Sequence, residues 1–244
     1  MNEKSIASGQ LPLALSLNEK PGFNLIIVGD NVEAVQQARR AARGTSHSSL
    51  YLWGQPGSGI SHLLQASCIL ADEHTQRIAY IPLAEHAVLD PRMLENLDNM
   101  DFVCIDDMDA ITGQQEWELA LLHLYNRLRE SGTRLMIGAH VSPQTIPLQL
   151  ADLKSRMAWD LVYHIKPLRD ADKIEALQRR GQSRGFDLPR EVAEYIVNRT
   201  PRDMPNLIAC LDKLGEVSLA EKRKVTIPLV KRVLVKKSGL RSEE

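Results

Sequence analysis

Apolar residues come in short bursts along this chain, and the segments between the bursts follow a second, helical period. Five apolar runs, at residues 49–53, 78–81, 102–105, 135–137 and 161–165, end in polar or glycine-containing turns. Each has the length and continuous apolar character of a strand buried in a parallel sheet. Between them, residues 33–43, 61–73 and 116–130 repeat as helices do. Leu63, Leu64, Leu70 and Ala71 share helical spacing in the second of these, and Trp117, Leu121, Leu124, Tyr125 and Leu128 line one face of the third. Strands alternating with helices predict an α/β fold, a five-stranded parallel sheet with flanking helices over residues 23–167.

The pattern changes after Pro167. From there only helical periods occur, at about 170–184, 190–199, 203–214 and 226–236. Gly185 is placed to stop the first, while Pro189 and Pro228 sit where helices start. Residues 168–244 therefore read as a small all-helical domain. Residues 1–22 carry Ser, Gly, Asn and Pro around a leucine-rich patch at 11–17, which predicts a flexible N-terminal segment.

Composition narrows the class. With 244 residues, 43% hydrophobic and 25% charged, the chain can bury a sizeable core. Its apolar runs are too short to span a bilayer, and its start lacks the pattern of a secretory signal. Cys68, Cys104 and Cys210 lie far apart in apolar surroundings, as reduced thiols of a cytoplasmic protein do. The seven histidines show no metal-ligand spacing. A net charge of −1 does not advertise nucleic-acid binding by the whole protein. Residues 222–241 hold eight basic residues and no acidic one, read as a solvated helix face, with salt-dependent DNA binding as the alternative.

The chemistry concentrates after the first strand. Gly54-Gln55-Pro56-Gly57-Ser58-Gly59-Ile60-Ser61 joins that strand to a helix, the context a phosphate-binding loop requires. Gly54, Gly57 and Gly59 permit tight turns that aim successive N–H groups at phosphate oxygens, and Ser61 stands where a hydroxyl would ligate Mg²⁺. A working loop has lysine at the position of Ile60. A charge-assisted hydrogen bond contributes about 1.5–3 kcal/mol, so its loss lowers triphosphate affinity about ten- to hundredfold and leaves a cradle for a weakly held diphosphate. Taken alone, the loop equally fits a glycine turn with no ligand. About fifty residues on, Phe102-Val103-Cys104-Ile105-Asp106-Asp107 is an apolar strand ending in two carboxylates, with Asp106 placed to hold Mg²⁺ and Asp107 to orient an attacking water. His140, ending the next strand, is the candidate to sense a γ-phosphate, although a strand-end histidine is more often simply surface, and a surface residue is the expectation.

These residues, in this order, resemble the DnaA family of AAA+ P-loop proteins from about residue 10 to residue 236. The segment 23–31, which includes Val28, looks like the family's adenine-enclosing segment. Leu153-Lys154-Ser155-Arg156-Met157-Ala158-Trp159 looks like its arginine-finger box, following the fourth core helix. His123-Leu124-Tyr125-Asn126-Arg127 has a close family counterpart, and Asp203-Met204-Pro205-Asn206-Leu207 looks like the sensor 2 helix, with Pro205 where that helix carries arginine. Gln10-Leu11-Pro12-Leu13-Ala14-Leu15 is similar to the peptide by which proteins dock on the replication sliding clamp, through Gln10, Leu11, Leu13 and Leu15, with Pro12 and Ala14 departing from it.

The resemblance stops short of the helix-turn-helix domain of the initiators and so implies a short regulatory branch of the family. It implies a negative regulator of replication initiation that docks on the DNA polymerase III sliding clamp (beta subunit) and promotes hydrolysis of ATP bound to DnaA, with Arg156 as an arginine finger acting in trans. It also implies a nucleotide, ADP, held by Val28, Gly54, Gly57, Ser58, Gly59, Ile60, Ser61, His62, Asp106 and Asp107, with Ser61 and Asp106 on Mg²⁺ where present. Intrinsic ATP turnover is expected to be little or none. A degenerate AAA+ adaptor or helicase-loader-like protein is the alternative.

Overall fold

A computed structural model of the chain describes residues 22–46, 49–159, 161–221 and 223–239. Residues 1–21 lie outside it, and with them Gln10, Leu11, Leu13 and Leu15. The first part contains α1 (Val32–Ala42), β1 (Leu50–Trp53), α2 (Ile60–Glu73), β2 (Ile78–Pro82), β3 (Phe102–Asp106), α3 (Gln115–Ser131), β4 (Arg134–Ala139), α4 (Ala151–Met157) and β5 (Leu161–His164). The second contains α5 (Asp170–Ser183), α6 (Arg190–Arg199), α7 (Met204–Glu221) and α8 (Ile227–Gly239). The five strands form one parallel sheet in the order β2-β3-β4-β1-β5. The α/β architecture with a helical continuation is the one the hydrophobic pattern predicts.

Alternating side chains along the central strands divide the core in two. On one face Leu50, Leu52, Cys104 and Met136 pack with Ala38, Leu64 and Cys68 of α1 and α2. On the other, Tyr51, Val103, Leu135 and Ile137 pack with Leu121, Leu124 and Leu128 of α3 and with Leu153 and Met157 of α4. A third core, centred on Leu177, Ile196, Leu207, Leu211 and Val230, holds the four C-terminal helices together.

Three details differ from the sequence reading. The last strand is an edge, hydrogen-bonded to β1 alone, so Leu161 and His164 are exposed rather than buried. Arg156 lies inside α4 rather than after a helix. Finally, α7 continues seven residues past the predicted end at 214. Gly215 lies inside the helix and serves packing, since a Cβ on it would lie 2.9 Å from the Phe186 ring.

One buried charge ties the α3 face together. Glu118, 0% exposed, accepts hydrogen bonds from the N–H groups of Gly113 (2.9 Å), Gln149 (2.8 Å) and Leu150 (2.9 Å). Its carboxylate thus fastens the start of α3 to the loop that leads into α4. Removing it leaves three backbone N–H groups, on exposed or half-buried residues, without their carboxylate acceptor. Glu118→Ala is expected to cost about 1.5–3 kcal/mol, measured by chemical denaturation. A loss below ~1 kcal/mol would contradict this role for Glu118.

Candidate functional site

The phosphate loop lies at the C-terminal edge of the sheet, between β1 and α2. Gly57 (φ +80°) and Gly59 (φ +96°) adopt left-handed conformations that a side chain disfavours. Nothing lies within 4 Å of the place a Cβ of Gly59 would take, so the loop is open there. The first-turn N–H groups of α2 have no carbonyl of their own helix to bond, which makes this terminus receptive to an anion. Gly54 has no such room, for a Cβ would lie 2.5 Å from the Ile165 carbonyl oxygen.

Beside the loop is a cleft of about 660 Å³, part of it open solvent, whose walls include Leu25, Ile27, Ser58, His62, Leu168 and Ile208. It is apolar with a few polar atoms, as small-molecule sites are. Ser58 Oγ, on a residue 9% exposed, and His62 Nε2 are buried there without hydrogen-bond partners in the structure. An apolar cleft beside an open glycine cradle, lined by two residues that carry orphaned polar atoms, suits the base and sugar of a nucleotide. Reciprocal bonds between the Asn31 side chain and the Lys166 backbone (2.9 and 2.8 Å) hold the segment before α1 against the exit of β5, which shapes the cleft. Arg180 of α5 reaches it from the helical part. There too Pro205 settles on the loop, its Cδ 3.1 Å from where a Cβ of Gly57 would be. The position expected to carry a sensor cation thus presents a hydrocarbon ring to the phosphate cradle.

The acidic strand end is close by but differently engaged. Asp106, 2% exposed, accepts a 2.6 Å hydrogen bond from the Tyr80 hydroxyl on the neighbouring strand and another from the Asp107 N–H (3.1 Å). Burial, then Asp106, raises the Tyr80 phenol above its usual range, so it stays a donor. Ile60, 6% exposed, fills the lysine position with its side chain turned toward Asp106, both meeting over Gly138. Ser61 is exposed. Ser61 and Asp106, the two residues expected from the sequence to share Mg²⁺, stand in different surroundings: one is open to solvent, and the other is buried and engaged by two donors. Asp107 has a left-handed backbone (φ +54°), and its carboxyl is raised above the usual range by burial and then by Asp106. His140 is more than a surface residue. Its N–H donates to Asp109 (2.7 Å), its Nδ1 lies 3.1 Å from the same carboxylate, and its Nε2 lies 3.8 Å from Asp107. Val28 is half-buried and packs against the core of α1 and α2, while Leu25, Ile26 and Ile27 line the cleft.

Arg156 belongs to a separate group on the opposite side of the sheet. Its guanidinium donates to Asn126 Oδ1 and to Asp152 Oδ2 (3.1 Å), while its backbone carbonyl accepts from the Tyr125 hydroxyl (3.1 Å). Trp159, 61% exposed, has the guanidinium carbons of Arg129 and Arg156 at 5.3 and 5.9 Å from its ring centre, within cation–π range. The segment 123–127, noted in the sequence only as a stretch, is what holds this arginine.

Among the residues that sequence reasoning missed are Tyr80 and Arg180. Tyr80 reads as an ordinary strand aromatic, and only the pairing of β2 with β3 brings its hydroxyl to Asp106. Asn31 closes the segment 23–31 singled out in the sequence, but its side chain pairs with the Lys166 backbone rather than capping α1, which only the fold reveals.

The cleft histidine gives a pH test. His62 is lowered to about 4, by burial first and by Arg180 second, from 6.5. Between those values the unfolded chain binds a proton that the folded one refuses. Stability contributed by neutral His62 is therefore full above about pH 6.5 and falls by about 3 kcal/mol as the pH drops toward 4. Denaturation curves across this range should show a steeper loss for the natural chain than for His62→Gln. Equal slopes would contradict the burial of a neutral imidazole.

Comparison with known proteins agrees with this geometry. Residues 17–164, more than half of the chain, match the bacterial DnaA ATPase domain family, and residues 170–234 match the family described as Hda, lid domain. Domain III of the Thermotoga maritima replication initiation protein DnaA superposes with a TM-score of 0.77 at 21% identity, over 91% of this chain and 98% of that one. AMPPCP-bound DnaA from Aquifex aeolicus gives 0.63 at 18% identity, over 76% and 61%. The Thermotoga maritima RuvB Holliday junction branch migration motor gives 0.62 at 16% identity, over 83% and 67%. Together the sheet order, the glycine loop, the helical C-terminal part and both family matches identify a nucleotide-binding fold, and the chain belongs to the DnaA family of AAA+ proteins, with the helical lid of its Hda branch.

Proposed function

We propose that this protein is a negative regulator of replication initiation that holds a nucleoside diphosphate, ADP, in its own cleft and uses Arg156 to promote hydrolysis of ATP bound to DnaA. The observation that carries the reading is the side of the sheet on which Arg156 sits. Leu153 and Met157, flanking it on α4, pack into the core beneath α3, whereas Ile60, His62 and the cleft lie with α1 and α2 on the other face. An arginine on that side serves a neighbour's nucleotide rather than the chain's own. The chain's own site supports binding rather than turnover, because Ile60 and Pro205 bring no cation to a phosphoryl group whose transfer depends on charge stabilisation.

Docking on the DNA polymerase III sliding clamp through Gln10, Leu11, Leu13 and Leu15 completes the proposal. In an extended strand the three leucines point to one side, and Gln10 offers both a donor and an acceptor. Gln10→Ala is expected to weaken clamp binding at least about tenfold, read by surface plasmon resonance, with the melting temperature unchanged. Unaltered affinity would remove the peptide from the reading.

The catalytic test is single-turnover hydrolysis of DnaA-bound ATP. An arginine supplied in trans accelerates phosphoryl transfer by about 10³–10⁵ where it has been measured. Arg156→Ala should abolish stimulation while leaving clamp binding and folding intact. Arg156→Lys, which cannot reproduce the guanidinium fork, should restore little. Full stimulation by Arg156→Ala would overturn the proposal.

A further inference from the structure

We infer that this site takes its nucleoside diphosphate as the free anion, without a divalent metal, because the Tyr80 hydroxyl and the Ile60 side chain together close the place where a phosphate-bound cation would meet Asp106. The inference rests on the nucleotide reading above and specifies the ligand form.

Three features carry it. First, Asp106 already has its donors: Tyr80 at 2.6 Å on one oxygen and the Asp107 N–H at 3.1 Å on the other. The Tyr80 hydroxyl is itself fixed, accepting from Gln65 Nε2 of α2 at 3.2 Å, so a relay runs from α2 through β2 to β3. Second, the approach from the phosphate loop is hydrocarbon. A Cβ on Gly138 would lie 2.7 Å from Ile60 Cγ2 and 2.8 Å from Asp106 Oδ1, so the isoleucine tip and the carboxylate oxygen crowd the same point. Third, the loop-side hydroxyl that would share the cation, that of Ser61, belongs to an exposed residue while Asp106 is 2% exposed.

Mg²⁺ requires near-octahedral oxygen coordination, sheds water reluctantly and keeps several waters when protein-bound. Seating it here means bringing a hydrated ion to a buried carboxylate whose two oxygens each already accept a hydrogen bond, and placing that ion against an aliphatic side chain, both unfavourable. The N–H groups of the glycine loop and the N-terminus of α2 remain as the anion-binding elements, and they need no metal.

The test is equilibrium binding of fluorescently labelled ADP to the full chain, once with excess Mg²⁺ and once with EDTA. The inference expects dissociation constants that agree within about twofold. In the double variant Ile60→Ser/Tyr80→Phe, which frees one carboxylate oxygen and empties the approach, Mg²⁺ should tighten binding about tenfold or more. Tenfold tightening by Mg²⁺ in the natural chain overturns the inference while leaving the nucleotide reading intact. Equal constants in the folded double variant show that Tyr80 and Ile60 are not the cause, and also overturn it. No ADP binding under either condition overturns the nucleotide reading itself, and this inference with it.

Discussion

There is no room for a side chain at Gly138. A single methyl group on this residue of β4 would collide with Ile60 of α2, with the carboxylate of Asp106 at the end of β3, and closely with Leu64 (3.3 Å). The bare backbone lets α2 settle onto the sheet until its first residue meets the acidic strand end. Close packing of that kind is intolerant of an added carbon. The glycine loop, the cleft beside His62 and the enclosed Asp106 all take their positions from this approach.

The same edge is closed from two further directions. Asn31 and Lys166 exchange hydrogen bonds across the entrance, and Pro205 of α7 rests on Gly57. What results is a phosphate loop with its backbone cradle intact and with hydrocarbon where cations are expected. On the opposite face the chemistry is reversed. There a guanidinium is held by Asn126 and Asp152 beside an exposed tryptophan, and the helix that carries it is fastened through the triple acceptor Glu118. A phosphate loop that lacks its lysine and an arginine on the other side of the sheet form the physical basis of the regulatory reading proposed above.

Much of this was legible in the sequence because it is local. Strand-length apolar runs, a glycine loop between a strand and a helix, Ile60 in a lysine position and two acids after a strand are all patterns of near neighbours. The positions of the strands, the burial of Trp117, Leu121 and Leu124, and the helices after Pro167, apart from the end of α7, followed from the same periodicities. The remainder depends on contacts between residues far apart in the chain. Tyr80 looked like any strand aromatic until the order β2-β3 set its hydroxyl on Asp106. Glu118 looked like an ordinary charge in a first helical turn, although its partners are 5, 31 and 32 residues away. The end of α7 was read seven residues early, and the glycine just past that point, Gly215, is there for a phenylalanine ring from another segment. His140 looked like surface because neither carboxylate that faces it is its neighbour in sequence.

The central claim is that Arg156 works on a partner's nucleotide, and a structure of this protein in complex with DnaA and AMPPCP tests it most directly. The account predicts that α4 and Trp159 lie in the interface, with the Arg156 guanidinium released from Asn126 or Asp152 and within ~3 Å of the γ-phosphate held by DnaA. An interface formed instead on the side of α1 and α2, or an Arg156 far from any phosphate, would contradict it.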